Sequence, residues 1–344
     1  MTSHMLEEIL EQPAVVSEIL KNYVKDGDIL IDLSENVSKL RFIASGSSYH
    51  AASILKYMFK ENTCLDVDCE YSSEFVLRPS FRYDQNTFYI FISQSGETSD
   101  TLSAMKKVKL CDIKTMTVTN VINSSLWNEA DYKMLMHAGK EVSVASTKAF
   151  SAQVLCLYLV MLKFMKIDIA GKIAELTDLP ADLRELLNLR EKIGAAAKIL
   201  SEFQNVVVLG NREYFTVSLE GALKIKETSY ININAYPTGE FLHGHVAVLN
   251  NKAAVIALID ERNVENNLKY LRKIHNDYNG TTIITVSDYK IGDFDFNLQI
   301  PKTSSISKIF NLIVMFQLLA YETAKLLGRD IDSPKGLSKV VLEQ

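Results

Sequence analysis

Phe88-Tyr89-Ile90-Phe91-Ile92-Ser93-Gln94-Ser95-Gly96-Glu97-Thr98 decides the fold. Its first five residues form a short aromatic and β-branched run without a charge, the pattern of a strand buried on both faces of a parallel sheet. Hydroxyls and a glycine follow. Then Thr98-Ser99-Asp100-Thr101-Leu102 gives the polar opening of a helix. A strand, a glycine-bearing turn and a helix start gather backbone N–H groups and a positive dipole end, with side-chain hydroxyls around them. That combination favours an anion, and phosphate above others. The same residues also suit an ordinary strand-to-helix turn with a good cap, and 93–98 alone does not choose between the two.

Working outward, residues 40–44 read as a strand followed by the turn Ser45-Gly46-Ser47-Ser48-Tyr49-His50 and a helix over 51–59. A helix is expected over 101–109, a strand over 115–119, and a long apolar helix from Ser146 onward. Residues 5–25 have helical periodicity with Pro13 as a break. After a charged helical stretch at 173–200 the plan restarts. A strand at 205–209 ends on Gly210, a helix covers 216–230, strands fall near 253–259 and 281–286, and an apolar helix closes at 306–327. Gly46 and Gly210 stand at equivalent strand ends, which points to an internal duplication. The expected fold is therefore α/β: two doubly wound α/β/α units with flavodoxin-like parallel sheets, an N-terminal helix and an irregular C-terminal arm. Ligands are expected beyond the carboxyl ends of the strands. The boundaries read as 1–35 for the helical segment, 36–170 and 171–328 for the two domains, and 329–344 for the arm.

The 344 residues suffice for two such domains, and 47% hydrophobic with 23% charged residues is the balance of a soluble globular enzyme. A net charge of −5 with scattered lysines leaves no track for nucleic acid. The apolar stretch 150–165 carries Gln153 and Lys163 and is too short to span a bilayer. No charged-then-apolar leader opens the sequence, so a cytoplasmic protein is expected. Cys64, Cys69, Cys111 and Cys156 form no C-x-x-C pair and read as buried small hydrophobes or bystanders. His243-Gly244-His245 has no third ligand at usable spacing, so neither a metal nor a cofactor is called for.

Two further features raise the chemical content. Val144-Ala145-Ser146-Thr147-Lys148 is a third hydroxyl-rich turn, and three such turns in one α/β unit can converge on one phosphate. In the second half, Glu220, Lys224 and Glu227 fall at i, i+4 and i+7 and share one helix face. A solvated ion-pair face is the ordinary meaning of that spacing. Against it, the helix is apolar elsewhere, and the loop Tyr236-Pro237-Thr238-Gly239-Glu240-Phe241-Leu242-His243-Gly244 follows closely.

Together these stretches resemble the double sugar-isomerase (SIS) domain family, and within it the isomerase half of glucosamine-6-phosphate synthase. The matching segments are Glu11-Gln12-Pro13, residues 46–51, 93–98, 144–150, 220–227, 236–244 and Asp330-Ile331-Asp332-Ser333-Pro334. The resemblance implies that Ser47, Ser48, Ser93, Gln94, Ser95 and Thr98 hold the phosphate of a sugar 6-phosphate. It implies that Val144 and Ser146 help hold the sugar, and that Glu227 moves a proton between C1 and C2 with Lys224 beside it. His243 matches the ring-opening histidine, which in the family reaches in from a neighbouring subunit, so a homodimer is implied. Lys339 matches the lysine of the C-terminal arm. Moving a proton between adjacent carbons needs one base that accepts and returns it, and a donor for the charge on oxygen. A carboxylate beside a lysine meets that need without a metal.

Some positions depart from the family pattern. His245 stands in place of a proline, Leu242 in place of a basic residue, and Ser45 in place of a frequent cysteine. The sequence shows no amidotransferase domain, so the degradative direction is expected: glucosamine 6-phosphate to fructose 6-phosphate and ammonia, or a related aldose–ketose exchange. A deglycase acting on fructosamine-type 6-phosphates is a second enzymatic reading. A non-catalytic sugar-phosphate regulator is the competing class, although residues 1–35 supply no DNA-binding helix pair.

Overall fold

The computed structural model describes residues 3–33, 37–79, 84–165, 169–249 and 252–339. From the N-terminus its elements are α1 (His4–Leu10), α2 (Gln12–Tyr23), the short pair β1 (Val24–Lys25) and β2 (Asp28–Ile29), β3 (Lys39–Ala44) and α3 (Gly46–Asn62). Next come β4 (Asp66–Tyr71), α4 (Ser72–Leu77), β5 (Thr87–Ser93), α5 (Ser99–Lys109), β6 (Thr115–Thr119), α6 (Ser125–Glu129), β7 (Tyr132–Leu135) and α7 (Lys148–Phe164). The chain continues with α8 (Ala170–Leu187), α9 (Arg190–Leu200), β8 (Asn205–Gly210), α10 (Glu213–Ser229), β9 (Asn232–Pro237) and α11 (Thr238–Phe241). It ends with β10 (Ala253–Leu258), α12 (Val264–Asp277), β11 (Thr282–Ser287), β12 (Phe296–Gln299) and α13 (Ser305–Leu326).

The chain forms two compact units. One holds Glu11–Glu141, Lys148–Thr177 and Ser338–Gln344; the other holds Met1–Leu10, Val142–Thr147 and Asp178–Leu337. They are called here the turn unit and the helix unit, after what each carries. The expected boundary at 35/36 and residues 340–344 of the arm lie outside the described residues. The N-terminal helix breaks at Glu11, where Pro13 occupies the first turn of α2. As a result α1 groups with the helix unit and α2 with the turn unit.

The turn unit has a parallel sheet in the order β4-β3-β5-β6-β7. Every residue of β5 is buried, which is why its sequence is a continuous apolar run rather than an alternation. Ile43, Phe75, Phe91, Ala104, Met105 and Val108 form a core between this sheet and α4 and α5. The order reverses between β3 and β5, the switch point where open α/β sheets bind ligands. Ala44 pairs with Ile92 there, so Ser45 and Ser93 leave adjacent strands side by side.

The helix unit repeats the plan as β9-β8-β10-β11-β12, again all parallel. α10 packs on α13 through Gly221, where an added Cβ would lie 2.4 Å from Phe316 Cγ. Gly221 thus lets two apolar helices approach closely and fixes the height of α10, one turn before Lys224. Gly221→Ala is expected to lower unfolding stability by about 1–3 kcal/mol through overpacking, measurable by urea titration. By length and composition α13 could cross a membrane, yet 83% of its apolar window is buried inside the protein. Its apolarity is that of a core helix.

Periodicity alone did not pick out β4, β7, β9, β12 or α12. Four of these are edge or near-edge elements with mixed burial, such as β4, and such strands lack the apolar run that marks β5 and β10. Residues 47–50, expected in a turn, instead form the first turn of α3, because the helix begins at Gly46.

Candidate functional site

In the turn unit the 93–98 segment is closely tied. The Gly96 N–H donates to Ser93 Oγ (3.1 Å), and the Ser93 and Thr98 hydroxyls are 2.8 Å apart. The Glu97 N–H donates to Ser95 Oγ (3.1 Å). Glu97 in turn accepts from the Ser125 N–H (2.8 Å) and hydroxyl (2.7 Å), which fastens the turn to the start of α6. The Gln94 carbonyl accepts the Asn120 N–H at 3.1 Å. Gly96 has φ +69°, and a Cβ there would lie 2.0 Å from Ser124 Oγ and 2.5 Å from Ser124 Cβ. Only glycine fits on both counts.

The ordinary capping role is not what these residues perform. Thr98 is the N-cap of α5 and Ser45 that of α3, yet neither side chain makes a cap hydrogen bond. The Thr98 hydroxyl is turned to Ser93 instead. Two helix N-termini therefore open at one switch point without side-chain caps, beside the hydroxyls of Ser93, Ser95 and Thr98. This is the arrangement that favours an anion. Ser47 and Ser48 lie half-buried in the first turn of α3, and Gln153 Nε2 of α7 donates to Ser48 Oγ at 2.9 Å.

The third hydroxyl-rich segment has a contact set of its own. Val142–Thr147 groups with the helix unit, not with the sheet that bears the other two turns. Within that unit the Val144 N–H donates to the Asp332 carbonyl at 3.1 Å, and Gln317 Nε2 of α13 donates to the Thr147 carbonyl at 3.1 Å. Glu8, itself buried, accepts from the Val142 N–H. The segment that carries Val144 and Ser146 is thus held by α1, α13 and the root of the arm.

Asp332 is the knot of that cluster. Its carboxylate accepts from the Ser3 hydroxyl (2.7 Å), the Met5 N–H (2.9 Å) and the His4 N–H (3.0 Å). Burial works to raise its pKa, but the bonds from Ser3, Met5 and His4 together outweigh burial and hold the carboxyl below the ordinary range. A depressed carboxyl contributes stability above its unfolded pKa and loses it as pH falls through the folded value. The difference in melting temperature between wild type and Asp332→Asn should accordingly be largest near neutral pH and shrink below about pH 4. A constant difference across that range would contradict the assignment.

In the helix unit the Lys224 side chain is 2% exposed. Its Nζ lies 2.7 Å from Glu227 Oε2 and 3.4 Å from Glu220 Oε1. Thr228 Oγ1 donates to the Lys224 carbonyl at 2.9 Å. The solvated ion-pair face is excluded, because Lys224 and Glu220 are buried and only Glu227 is part-exposed. Glu227 stands two residues before the end of α10, about 21 Å along the helix from Glu213 at 1.5 Å per residue. In a β-helix-β unit the helix runs back along its strand. The pair therefore lies away from the carboxyl ends of that sheet.

His243 is exposed in the turn after α11, with its N–H on the Glu240 carbonyl at 2.9 Å. Next to it Gly244 has φ +106°, and His245 lies against Tyr236 with ring centroids 4.4 Å apart. His245, the residue in place of the family proline, is itself exposed, so this ring contact lies at the surface. Lys339 groups with the turn unit and is paired with Glu141, Nζ to Oε2 2.5 Å. The pairing of Glu141 with Lys339 was not legible in sequence, since the two stand 198 residues apart. Gly96 was legible only as a turn residue.

Comparison with known proteins agrees with this architecture. The SIS domain model matches residues 34–163 and 199–321, one stretch for each sheet. The glutamine–fructose-6-phosphate aminotransferase (isomerizing) of Haemophilus ducreyi is 31% identical over 98% of the chain, and that of Campylobacter jejuni 33% over 98%. The chain spans 58% of the length of each of these two relatives. Among solved structures, the C-terminal domain of the glucosamine-fructose-6-phosphate aminotransferase of Francisella tularensis superposes with TM-score 0.91 at 31% identity, covering 97% of this chain and 98% of that one. Glucosamine-6-phosphate deaminase of Thermotoga maritima gives TM-score 0.82 at 25% identity over 98% and 99%. With both sheets matched, the chain belongs to the SIS domain family and carries the domain twice.

Proposed function

We propose that this chain is a phosphosugar isomerase or deaminase that acts on an amino-sugar or hexose 6-phosphate, as a cytoplasmic homodimer. The observation that carries the reading is the Lys224–Glu227 pair: a part-exposed carboxylate held at 2.7 Å by a buried ammonium. A base that must accept a proton from one carbon and return it to the next needs a fixed position and a way to the substrate, and Glu227 has both.

In this reading the serine and threonine turns, with Ser47, Ser48, Ser93, Gln94, Ser95 and Thr98, grip the phosphate, while Val144 and Ser146 hold the sugar. For glucosamine 6-phosphate, ring opening exposes the C1 aldehyde, assisted by His243 of a partner chain and by Lys339. Glu227 takes the C2 proton, Lys224 offsets the charge that builds on the C1 oxygen, and Glu227 returns the proton to C1 while the C1 oxygen gains a proton and the C2 amine loses one. The resulting C2 imine adds water and releases ammonia, leaving the ketose. A hexose 6-phosphate follows the same path with a C2 hydroxyl and yields the ketose directly. Relatives named as isomerizing aminotransferases and as a glucosamine-6-phosphate deaminase support the substrate class.

The test is turnover of a panel of sugar 6-phosphates, with ammonia and ketose assayed separately. Ammonia with ketose from glucosamine 6-phosphate supports the deaminase; aldose–ketose exchange without ammonia supports the isomerase. A released amino acid from an N-linked fructosamine 6-phosphate supports the deglycase instead. Thermal stabilisation by a sugar phosphate with no product would replace the enzyme by a binding regulator.

A further inference from the structure

Glu141 carries no role in the reading above, yet its environment is built. Its side chain is fully buried, and each oxygen has a distinct partner. Oε1 accepts the Ala149 N–H at 3.0 Å, in the first turn of α7, and Oε2 lies 2.5 Å from Lys339 Nζ. A buried carboxylate is tolerated when it is both hydrogen-bonded and charge-paired, and these contacts supply one of each. The positions in the chain are also telling. Glu141 closes the segment Glu11–Glu141 of the turn unit, and Lys339 is the second residue of Ser338–Gln344, where the arm joins that same unit. The ion pair therefore clamps the point at which the arm enters.

We propose that Glu141 is the positioning residue of Lys339: it draws the arm lysine to one place and keeps its ammonium pointed in one direction. The proposal rests on the reading of Lys339 as a residue that meets the sugar. A flexible four-carbon side chain on an irregular arm has many conformations to lose before it can act, and a fixed buried partner removes most of that loss beforehand. The competing account is that Glu141 only caps the start of α7, with Lys339 a bystander.

Glu141→Gln separates the two. The amide oxygen still accepts the Ala149 N–H, so α7 keeps its cap and the melting temperature should hold, while the charge that attracts Lys339 is gone. The first readout needs no substrate: brief labelling of the whole protein with acetic anhydride, followed by mass spectrometry of the C-terminal peptide. Lys339 should label several-fold faster in Glu141→Gln than in wild type, and Glu141→Asp should fall between them. The second readout is kinetic. Glu141→Gln should lower kcat by about tenfold or more, the scale of one charge-assisted hydrogen bond, with little change in KM and partial recovery in Glu141→Asp. Equal labelling of Lys339 in wild type and Glu141→Gln would overturn the proposal, as would unchanged kcat in an active enzyme. If wild type turns over no sugar phosphate while the labelling contrast is present, the functional reading fails and the clamp stands.

Discussion

Glu227→Gln should fold as wild type does and lose turnover by about 10²–10⁴-fold, the usual contribution of a positioned general base. The expectation of a normal fold comes from the charge arrangement. Lys224 lies between two carboxylates, at 2.7 Å from Glu227 and 3.4 Å from Glu220. Neutralising Glu227 leaves a buried one-to-one pair with Glu220. Lys224→Met is the contrasting case, because it strips the cation from two neighbouring carboxylates, one of them buried. Breaking a buried pair in that way costs about 3–5 kcal/mol. The two variants should therefore separate: both inactive, but only Lys224→Met clearly destabilised in a denaturant titration. Loss of stability in Glu227→Gln comparable to that of Lys224→Met would contradict this account of the pair.

The second large effect is expected at Gly96. Gly96→Ala meets two penalties at once. Its φ of +69° costs an L-residue about 1–2 kcal/mol. The Cβ would also stand 2.0 Å from Ser124 Oγ and 2.9 Å from Thr119 Oγ1, within a turn already fastened to α6. Something must move, either Ser124 or the turn that carries Ser93, Ser95 and Thr98, the hydroxyls proposed to hold the phosphate. KM for any sugar phosphate should rise by about tenfold or more, which corresponds to 1.4 kcal/mol or above. Gly46→Ala is the internal control. Its φ of +54° carries a similar backbone penalty, but nothing lies within 4 Å of the added Cβ. Its effect should be the smaller of the two. Equal effects would mean that the close approach to Ser124 is not what shapes the turn.

Several elements were readable from sequence for identifiable physical reasons. β5, β8 and β10 are buried strands of parallel sheets, so they appear as unbroken apolar runs. α7 and α13 are core helices and appear as long apolar stretches. The edge strands β4, β9 and β12 have no such run, and local pattern does not separate them from loops. At the site, the hydroxyl turns and the Glu220–Lys224–Glu227 spacing were visible because each is local. The spacing did not tell that Lys224 is buried, which is what removes the surface ion-pair interpretation.

What sequence could not supply was long-range pairing. Val144 rests on Asp332, and Lys339 on Glu141, across intervals that no periodicity spans. The third hydroxyl turn illustrates the cost. Its composition matches the other two, and nothing local in it announces the contacts of residues 142–147 with α1, α13 and the arm root. Composition shows the hydroxyls and not their neighbours. His245 is a similar case: an exposed histidine whose ring contact with Tyr236 has no local signature.

The central claim is that Glu227 carries a proton between two carbons of a sugar 6-phosphate. Incubation with glucosamine 6-phosphate, glucose 6-phosphate and fructose 6-phosphate in deuterium oxide, followed by proton NMR of the C1 and C2 positions, tests it most directly. The account predicts enzyme-dependent deuterium at C1 or C2 of at least one of these sugars, reduced to background in Glu227→Gln. Exchange that persists undiminished in Glu227→Gln, or its absence from all three sugars with wild-type protein, would contradict it.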